Sequence, residues 1–302
     1  MMSNPDHQHD RDKLSLFLLE HSGVRGVLVH LDETWQAIQA RAPYPDAVAE
    51  RLGETCAAAA LFTGHAKLDG RLSVQLRGTG ALKTLFAECT AEGTLRGIAH
   101  FSEPLPKPLT PRAFGEGSVM AITIENLPPG GQEMIRYQGL VGLEADHLAE
   151  AFEAYFAQSE QLPTRVLLAA SGQRAAALMI QQLPHGHGDA DGWTRCSAIF
   201  ETLGPSELLS AQEETLLYRL FHEENVRLVG RRPLRFACSC SRARVEDTLR
   251  SLGLNETLAA SQGGLTEVHC DFCGQGYQFS DEQVQELFHA TGANAPGSER
   301  LQ

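Results

Sequence analysis

The stretch Phe236-Ala237-Cys238-Ser239-Cys240-Ser241, with its counterpart His269-Cys270-Asp271-Phe272-Cys273-Gly274-Gln275-Gly276-Tyr277, holds four of the chain's seven cysteines in two close pairs. One pair is Cys-x-Cys and the other Cys-x-x-Cys, with 29 residues between them. Two such pairs, brought together by the intervening chain, present four thiolate sulfurs to one ion. Zinc takes that arrangement, with Zn–S near 2.3 Å. Gly274 and Gly276 supply the permissive backbone a chelating turn needs. The Cys-x-Cys spacing is tighter than the usual two to four intervening residues, and it sets two thiols close enough to oxidise to each other. Spacing alone therefore leaves both a closed structural zinc site and a redox-active one open.

The chain around this stretch is long enough for one large domain and a smaller module: 302 residues, 42% of them apolar. The formal net charge is −13. From 235 to 290, Arg235, Arg242, Arg244 and Arg250 face eight carboxylates between Glu246 and Glu286. That balance argues against a phosphate-neutralising face, so no nucleic-acid partner is expected. The polar N-terminus, with His7 and His9, leads into a short apolar run, Leu14 to Leu19, without the basic flank of a signal peptide. No apolar run is long enough to span a bilayer, and a cytoplasmic protein with no membrane partner is the expectation. In a reducing compartment, close cysteine pairs read as metal-binding or redox-active before permanent disulfides.

Along the chain, Val24 to Leu31 predicts a strand, and Asp46 to Phe62 a helix whose alanine run at 57 to 60 suits close packing. Arg71 to Arg77 alternates strictly, placing Leu72, Val74 and Leu76 on one face of a strand stopped by Gly78 and Gly80. Leu82 to Thr90 and Thr94 to Phe101 flank Ala91-Glu92-Gly93 as a hairpin, and Val119 to Glu125 with Glu133 to Val141 form a second across Pro128 and Pro129. Asp146 to Gln158 carries Leu148, Phe152, Tyr155 and Phe156 at helical spacing, and strands follow at 165 to 170 and 175 to 181. The loop holding His185 and His187 marks an edge; two histidines without a third ligand read as solvent-exposed.

Ser210 to Glu213 reads as a capping box opening a helix with Leu216, Leu217, Leu220 and Phe221 on one side and Glu213, Glu214, Arg219 and Glu223 on the other. Such a face is either permanently docked or a docking element that can be released. In the final module Ser241 caps a helix bearing Val245, Leu249 and Leu252 that ends at Gly253, and Ser280 with Gln283 caps another bearing Val284, Leu287 and Phe288. So thin a core needs a metal or disulfides to stay folded. No phosphate-binding loop or dinucleotide fingerprint is present, so ATP-driven work is not expected.

The chain resembles the redox-regulated 33-kDa heat-shock chaperone (chaperonin) family. The resemblance runs through Val24-Arg25-Gly26, Gly115-Glu116-Gly117, Tyr137 to Glu144, Tyr155 to Thr164, Leu220 to Glu224, Cys238-Ser239-Cys240-Ser241-Arg242 and His269 to Gly274. It implies an α/β (α+β) N-terminal sheet-and-helix domain, a helical linker and a small C-terminal zinc-binding domain. On this chain those fall at 1–184, 185–234 and 235–290, with a flexible tail at 291–302. It further implies one zinc per chain on Cys238, Cys240, Cys270 and Cys273, an inactive reduced form, and disulfides Cys238–Cys240 and Cys270–Cys273 on oxidation. The oxidised form would be an ATP-independent holdase and a homodimer, not an enzyme. It would bind unfolded or partly unfolded client proteins in oxidative stress through the linker face of Leu216, Leu217, Leu220 and Phe221. Cys56, Cys89 and Cys196 read as ordinary, partly buried thiols. A thiol-disulfide oxidoreductase using Cys270 and Cys273, and a purely structural zinc-binding interaction module, are the rival readings.

Overall fold

The structure, a computed structural model, describes residues 11–66, 68–126, 134–184 and 188–292. Two units separate at the bond between Ala237 and Cys238. The first runs β1 (Lys13–Leu19), β2 (Val24–Leu31), α1 (Glu33–Gln39), α2 (Asp46–His65), β3 (Gly70–Arg77), β4 (Leu82–Thr90), β5 (Thr94–Phe101), β6 (Val119–Asn126) and β7 (Ile135–Gly142). It continues with α3 (Leu148–Ser159), β8 (Thr164–Ala170), β9 (Ala175–Gln182), α4 (Gly192–Phe200), α5 (Pro205–Ser210), α6 (Glu213–Phe221), β10 (Val226–Pro233) and β11 (Arg235–Phe236). One sheet has the order β10-β1-β2-β9-β8 and the other β11-β5-β4-β3-β6-β7.

α2 lies between the two sheets, touching β2, β8 and β9 of one and β3, β4 and β5 of the other. A helix buried all round needs small side chains where sheets press on it. Ala57 to Ala60 are buried without remainder, and a Cβ on Gly97 of β5 would lie 2.6 Å from Cys56 Sγ. Strictly alternating burial in β3 places Leu72, Val74 and Leu76 inward, as the sequence predicts. The β4–β5 turn closes through Gly93 at φ +78°, whose N–H donates to Thr90 O at 3.0 Å. The turn expected across Pro128 and Pro129 and the His185/His187 loop lie outside the described residues.

The opposite face of the first sheet packs Phe17, Leu19, Leu28, Leu178 and Ile180 against α4, α5 and α6. By packing, then, 192–236 belongs to the first unit, where the sequence reading places a separate linker over 185–234. The physical reason is apolar burial on that face, together with β10, which adds to β1 as an edge strand. Two local expectations are corrected. Ser210 ends α5 instead of opening α6, because Pro205 at the first position starts an earlier helix and Ala211 is extended. Glu213 is not on the solvent side of α6: it is buried, with Lys13 Nζ at 2.9 Å and Arg231 Nη2 at 3.1 Å.

The second unit contains α7 (Arg242–Leu252), α8 (Leu254–Ala259), β12 (Leu265–His269), β13 (Gly276–Ser280) and α9 (Asp281–Gly292). Ser241 Oγ accepts from the Arg244 N–H at 3.3 Å and Ser280 Oγ from the Gln283 N–H at 3.2 Å, so both expected caps form. The β12–β13 hairpin and α8 were not legible in the sequence. The buried apolar core of this unit is Val245, Leu249, Phe279 and Val284.

Candidate metal centre

Cys270 to Gln275 is the loop of the β12–β13 hairpin, which pairs His269 with Gly276. The Cys270 N–H donates to Gln275 O at 3.0 Å, and Cys270 O accepts from the N–H groups of Cys273 at 3.3 Å and Gly274 at 2.7 Å. Gly274, at φ +73°, takes the left-handed conformation that turns the chain back after Cys273. Cys238 and Cys240 lie just before the Ser241 cap of α7, and Ser239 between them accepts from Arg244 Nη1 at 2.7 Å. A hairpin tip and a capped helix start thus supply one cysteine pair each.

The four sulfurs lie within 4.8 Å of one another. Close approaches cross between the pairs, Cys238 to Cys270 at 3.6 Å and Cys240 to Cys273 at 3.4 Å. Sulfurs at the corners of a tetrahedron about zinc, with Zn–S near 2.3 Å, stand roughly 3.8 Å apart. The four residues therefore fit a thiolate-bound divalent ion in number, type and spacing. They are half-buried, whereas Cys56, Cys89 and Cys196 are fully buried.

Electrostatics point the same way. The Tyr277 hydroxyl donates to Cys240 Sγ at 3.2 Å, and that bond lowers the Cys240 thiol to about 7. Desolvation first, and its sulfur neighbours next, push Cys273 up to about 12, and desolvation also raises Cys270. One proton leaves readily while the next resist, because anionic charge accumulates in a small space. A bound cation is what would let all four ionise together. Arg242 and Arg244 flank the cluster, but Arg242 lies over the Phe279 ring at 4.1 Å and bonds Gln278 O. Tyr277 is the functional side chain the sequence reading missed; its cross-strand pairing with Val268 brings it to the cluster.

The other sequence-predicted residues lie in the first unit. Leu216, Leu217 and Phe221 are buried against Phe17, Leu178 and Ile180, with Leu220 half-buried at the margin. Burial raises all three remaining thiols, Cys89 to about 12 and Cys196 to about 11. Cys196 donates to Ser22 Oγ at 3.1 Å. They are core groups, more buried than the sequence reading expected.

The chain is thus a mixed α+β protein whose second unit is built round a tetracysteine cluster that could hold a metal ion, and relatives narrow the class. The family model described as Hsp33 protein matches residues 12–280, and the chain belongs to that family. It is 43% identical over 292 residues to a 33 kDa chaperonin of Ectopseudomonas mendocina, covering 94% of this chain and 97% of that one. A 33 kDa chaperonin of Chromobacterium violaceum is 41% identical, with 92% and 94% covered. The fold matches the solved structure of the 33 kDa chaperonin (heat shock protein 33 homolog) of Thermotoga maritima with a TM-score of 0.76 at 21% identity, covering 94% and 100%. Among the described residues, no helix is long and apolar enough to cross a membrane.

Proposed function

We propose that the chain is an ATP-independent, redox-gated holdase chaperone of the cytoplasm. The observation that supports this most is the convergence of four half-buried sulfurs in a unit whose fully buried apolar side chains, among the described residues, are Val245, Leu249, Phe279 and Val284, with Leu254, Leu258, Val268, Tyr277, Leu287 and Phe288 partly buried around them. Cys238, Cys240, Cys270 and Cys273 would hold one zinc ion as thiolates, and the ion would supply the cohesion the core lacks, on the order of 10 to 16 kcal/mol in zinc-finger peptides.

In this reading hydrogen peroxide or hypochlorous acid is the oxidant. Each disulfide forms as two thiols lose two protons and two electrons; peroxide leaves as two waters, hypochlorous acid as water and hydrochloric acid. Bridges Cys238–Cys240 and Cys270–Cys273 have no anionic donors left, so the module loses its staple. Only Ala237 separates β11 from Cys238, so unfolding of the module frees the chain directly after β11. The client surface is the face of α6 bearing Leu216, Leu217, Leu220 and Phe221. Because that face is packed on the first sheet, client binding requires α6 to lift off, which mild heat promotes once the module is open. Unfolding proteins are the partners, the oxidised form is a homodimer, and the protein works by binding without catalysis.

The test is suppression of citrate synthase aggregation without ATP, alongside zinc content and thiol count before and after peroxide at mild heat. We expect one zinc released, four thiols lost and suppression gained together. Equal suppression by the reduced, zinc-loaded protein removes the gating. The oxidoreductase reading requires a reactive thiol at Cys270 or Cys273, and burial raises both. Insulin reduction that persists in metal-free protein would favour it.

A further inference from the structure

The β12–β13 hairpin pairs Val268 with Tyr277 and Thr266 with Phe279. Residues two apart on a strand share a face, so the Tyr277 ring stands on the side that carries the buried Phe279. It packs, half-buried, against the core of the second unit together with Val268. A tyrosine ring held by packing presents its hydroxyl as the end of a stiff arm, and such a hydroxyl takes a hydrogen-bond partner. Here it donates to Cys240 Sγ at 3.2 Å. Cys240 lies just before α7 and Tyr277 just after the hairpin loop, so the bond joins the two cysteine-bearing segments. Among the described residues, Tyr277 is the one side chain other than a cysteine that hydrogen-bonds to a sulfur of the cluster.

An oxidant meets a thiolate through a sulfur lone pair. That pair displaces hydroxide from peroxide and leaves a sulfenic acid; the neighbouring thiol then closes the disulfide and water departs. A proton donor bonded to the sulfur draws on the same electron density, and the nucleophilicity of a thiolate falls as its affinity for a proton falls. In the metal-bound cluster proposed above all four sulfurs are already thiolates, so what differs between them is the availability of the lone pair. Cys238 and Cys240 give a comparison within one short segment, because the Tyr277 hydroxyl reaches only the second of them.

We propose that Tyr277 is a positioning residue of the redox centre: its hydroxyl holds the Cys240 sulfur and slows attack on it by oxidants and other electrophiles while a metal is bound. The proposal rests on the metal-binding half of the function above and is independent of its client-binding half.

The full chain loaded with cobalt(II) reports the bond spectroscopically. Donation to a thiolate lowers the energy of its lone pair, so the sulfur-to-cobalt charge-transfer band should move to longer wavelength in Tyr277→Phe, which keeps the ring and removes the donor. In the zinc-loaded chain, limited treatment with iodoacetamide is read by fragment-ion mass spectrometry. The ratio of Cys240 to Cys238 modification should rise roughly fivefold in Tyr277→Phe. Val268→Ala trims the cross-strand partner of the ring and keeps the hydroxyl; it should leave both the band and the ratio as in the wild type. If Tyr277→Phe misfolds, the wild type decides: loaded with cadmium-113, its Tyr277 hydroxyl proton should exchange slowly with solvent and show scalar coupling to the metal.

An unchanged band and ratio in metal-loaded Tyr277→Phe overturns the proposal and leaves the metal reading standing. An equal rise in Val268→Ala assigns the effect to loosened packing and also overturns it, as does a hydroxyl proton exchanging at the rate of a free tyrosine. A wild-type chain that takes up neither zinc nor cobalt overturns this proposal and the metal reading together. Failure of the oxidised chain to suppress aggregation would sink the client-binding reading and leave the Tyr277 outcomes untouched.

Discussion

The two units solve the same problem with different means. The first buries an alanine-rich helix between two sheets and then packs α4, α5 and α6 over a third surface, so its stability is spread over large apolar clusters. The second buries Val245, Leu249, Phe279 and Val284 and gathers four sulfurs within 4.8 Å. Burial at about 25 cal/mol per Å² cannot stabilise so small a core against the entropy of ordering its chain. Distributed burial is hard to abolish by one chemical event, whereas cohesion concentrated in an ion held by four thiolates, as proposed for the second unit, would be removed by one. The same difference separates the cysteines: those in the first unit are buried with raised pKa values, and those in the second are half-exposed with Cys240 lowered to about 7.

Metal removal should break the comparison open most widely. Chelation with a thiol-reactive displacer is expected to abolish amide-exchange protection throughout α7, β12, β13 and α9 and leave α2 and β9 protected, consistent with about 10 to 16 kcal/mol of coupled binding energy. Protection surviving in α7 would show that the second unit has a sufficient core of its own. Next in size is Phe221→Ala. Phe221 is fully buried, with its ring centroid 6.3 Å from that of Phe17, and truncation should destabilise the first unit by about 3 to 5 kcal/mol in urea. The metal content should not change. If α6 is weakly held instead, as a poised docking element could be, the loss will fall below about 1 kcal/mol.

How much of this was legible depended on whether a residue's role is local. β3 and the β4–β5 hairpin follow from alternation and a glycine turn, and the sequence expectation there agrees with the structure to within a residue. The cysteine cluster was announced by spacing because chelation needs particular side chains at short range. β10 was not readable as a strand: Val226-Arg227-Leu228-Val229-Gly230-Arg231-Arg232 lies at a sheet edge, where charges guard the open side and blur the pattern. Two of its arginines, Arg227 and Arg231, are occupied by Glu20, Glu213 and Glu214, partners fixed only by the fold. Glu213 looked solvent-facing for the same reason, since Lys13 reaches it from the other end of the unit. The apolar face of α6 was visible, but its partner was not, because helical periodicity says that a face is buried without saying on what.

A smaller effect tests burial in the first unit through pH. Glu54 is buried beside α3 and β8, and desolvation outweighs the Arg51 contact at 2.8 Å, raising its carboxyl from 4.5 to about 7. The folded state therefore holds a proton that the unfolded state releases. The stabilisation is complete below about 4.5 and is lost as pH rises through about 7. Between pH 5 and 8 the wild type should lose on the order of 1 to 3 kcal/mol that Glu54→Gln does not lose. Parallel profiles for the two proteins would mean that Glu54 is ionised and solvated in the fold.

The smallest predicted change sharpens the contrast between the units most directly, because similar helix caps should read out differently in each. Ser241 Oγ accepts the Arg244 N–H at the start of α7, and Ser241→Ala should cost about 1 kcal/mol. In a unit that folds only with its ion, that loss cannot appear as a separate unfolding step; it must appear in metal affinity, weakened roughly fivefold in a chelator competition. At α3 in the first unit, Glu150 Oε2 accepts the Asp146 N–H at 3.1 Å, and Glu150→Ala should cost a similar amount. That cost should appear in the urea midpoint, with metal affinity unchanged. An unaltered metal affinity in Ser241→Ala would mean that the second unit is already folded before the ion arrives, and the division between burial and chelation would then have to be given up.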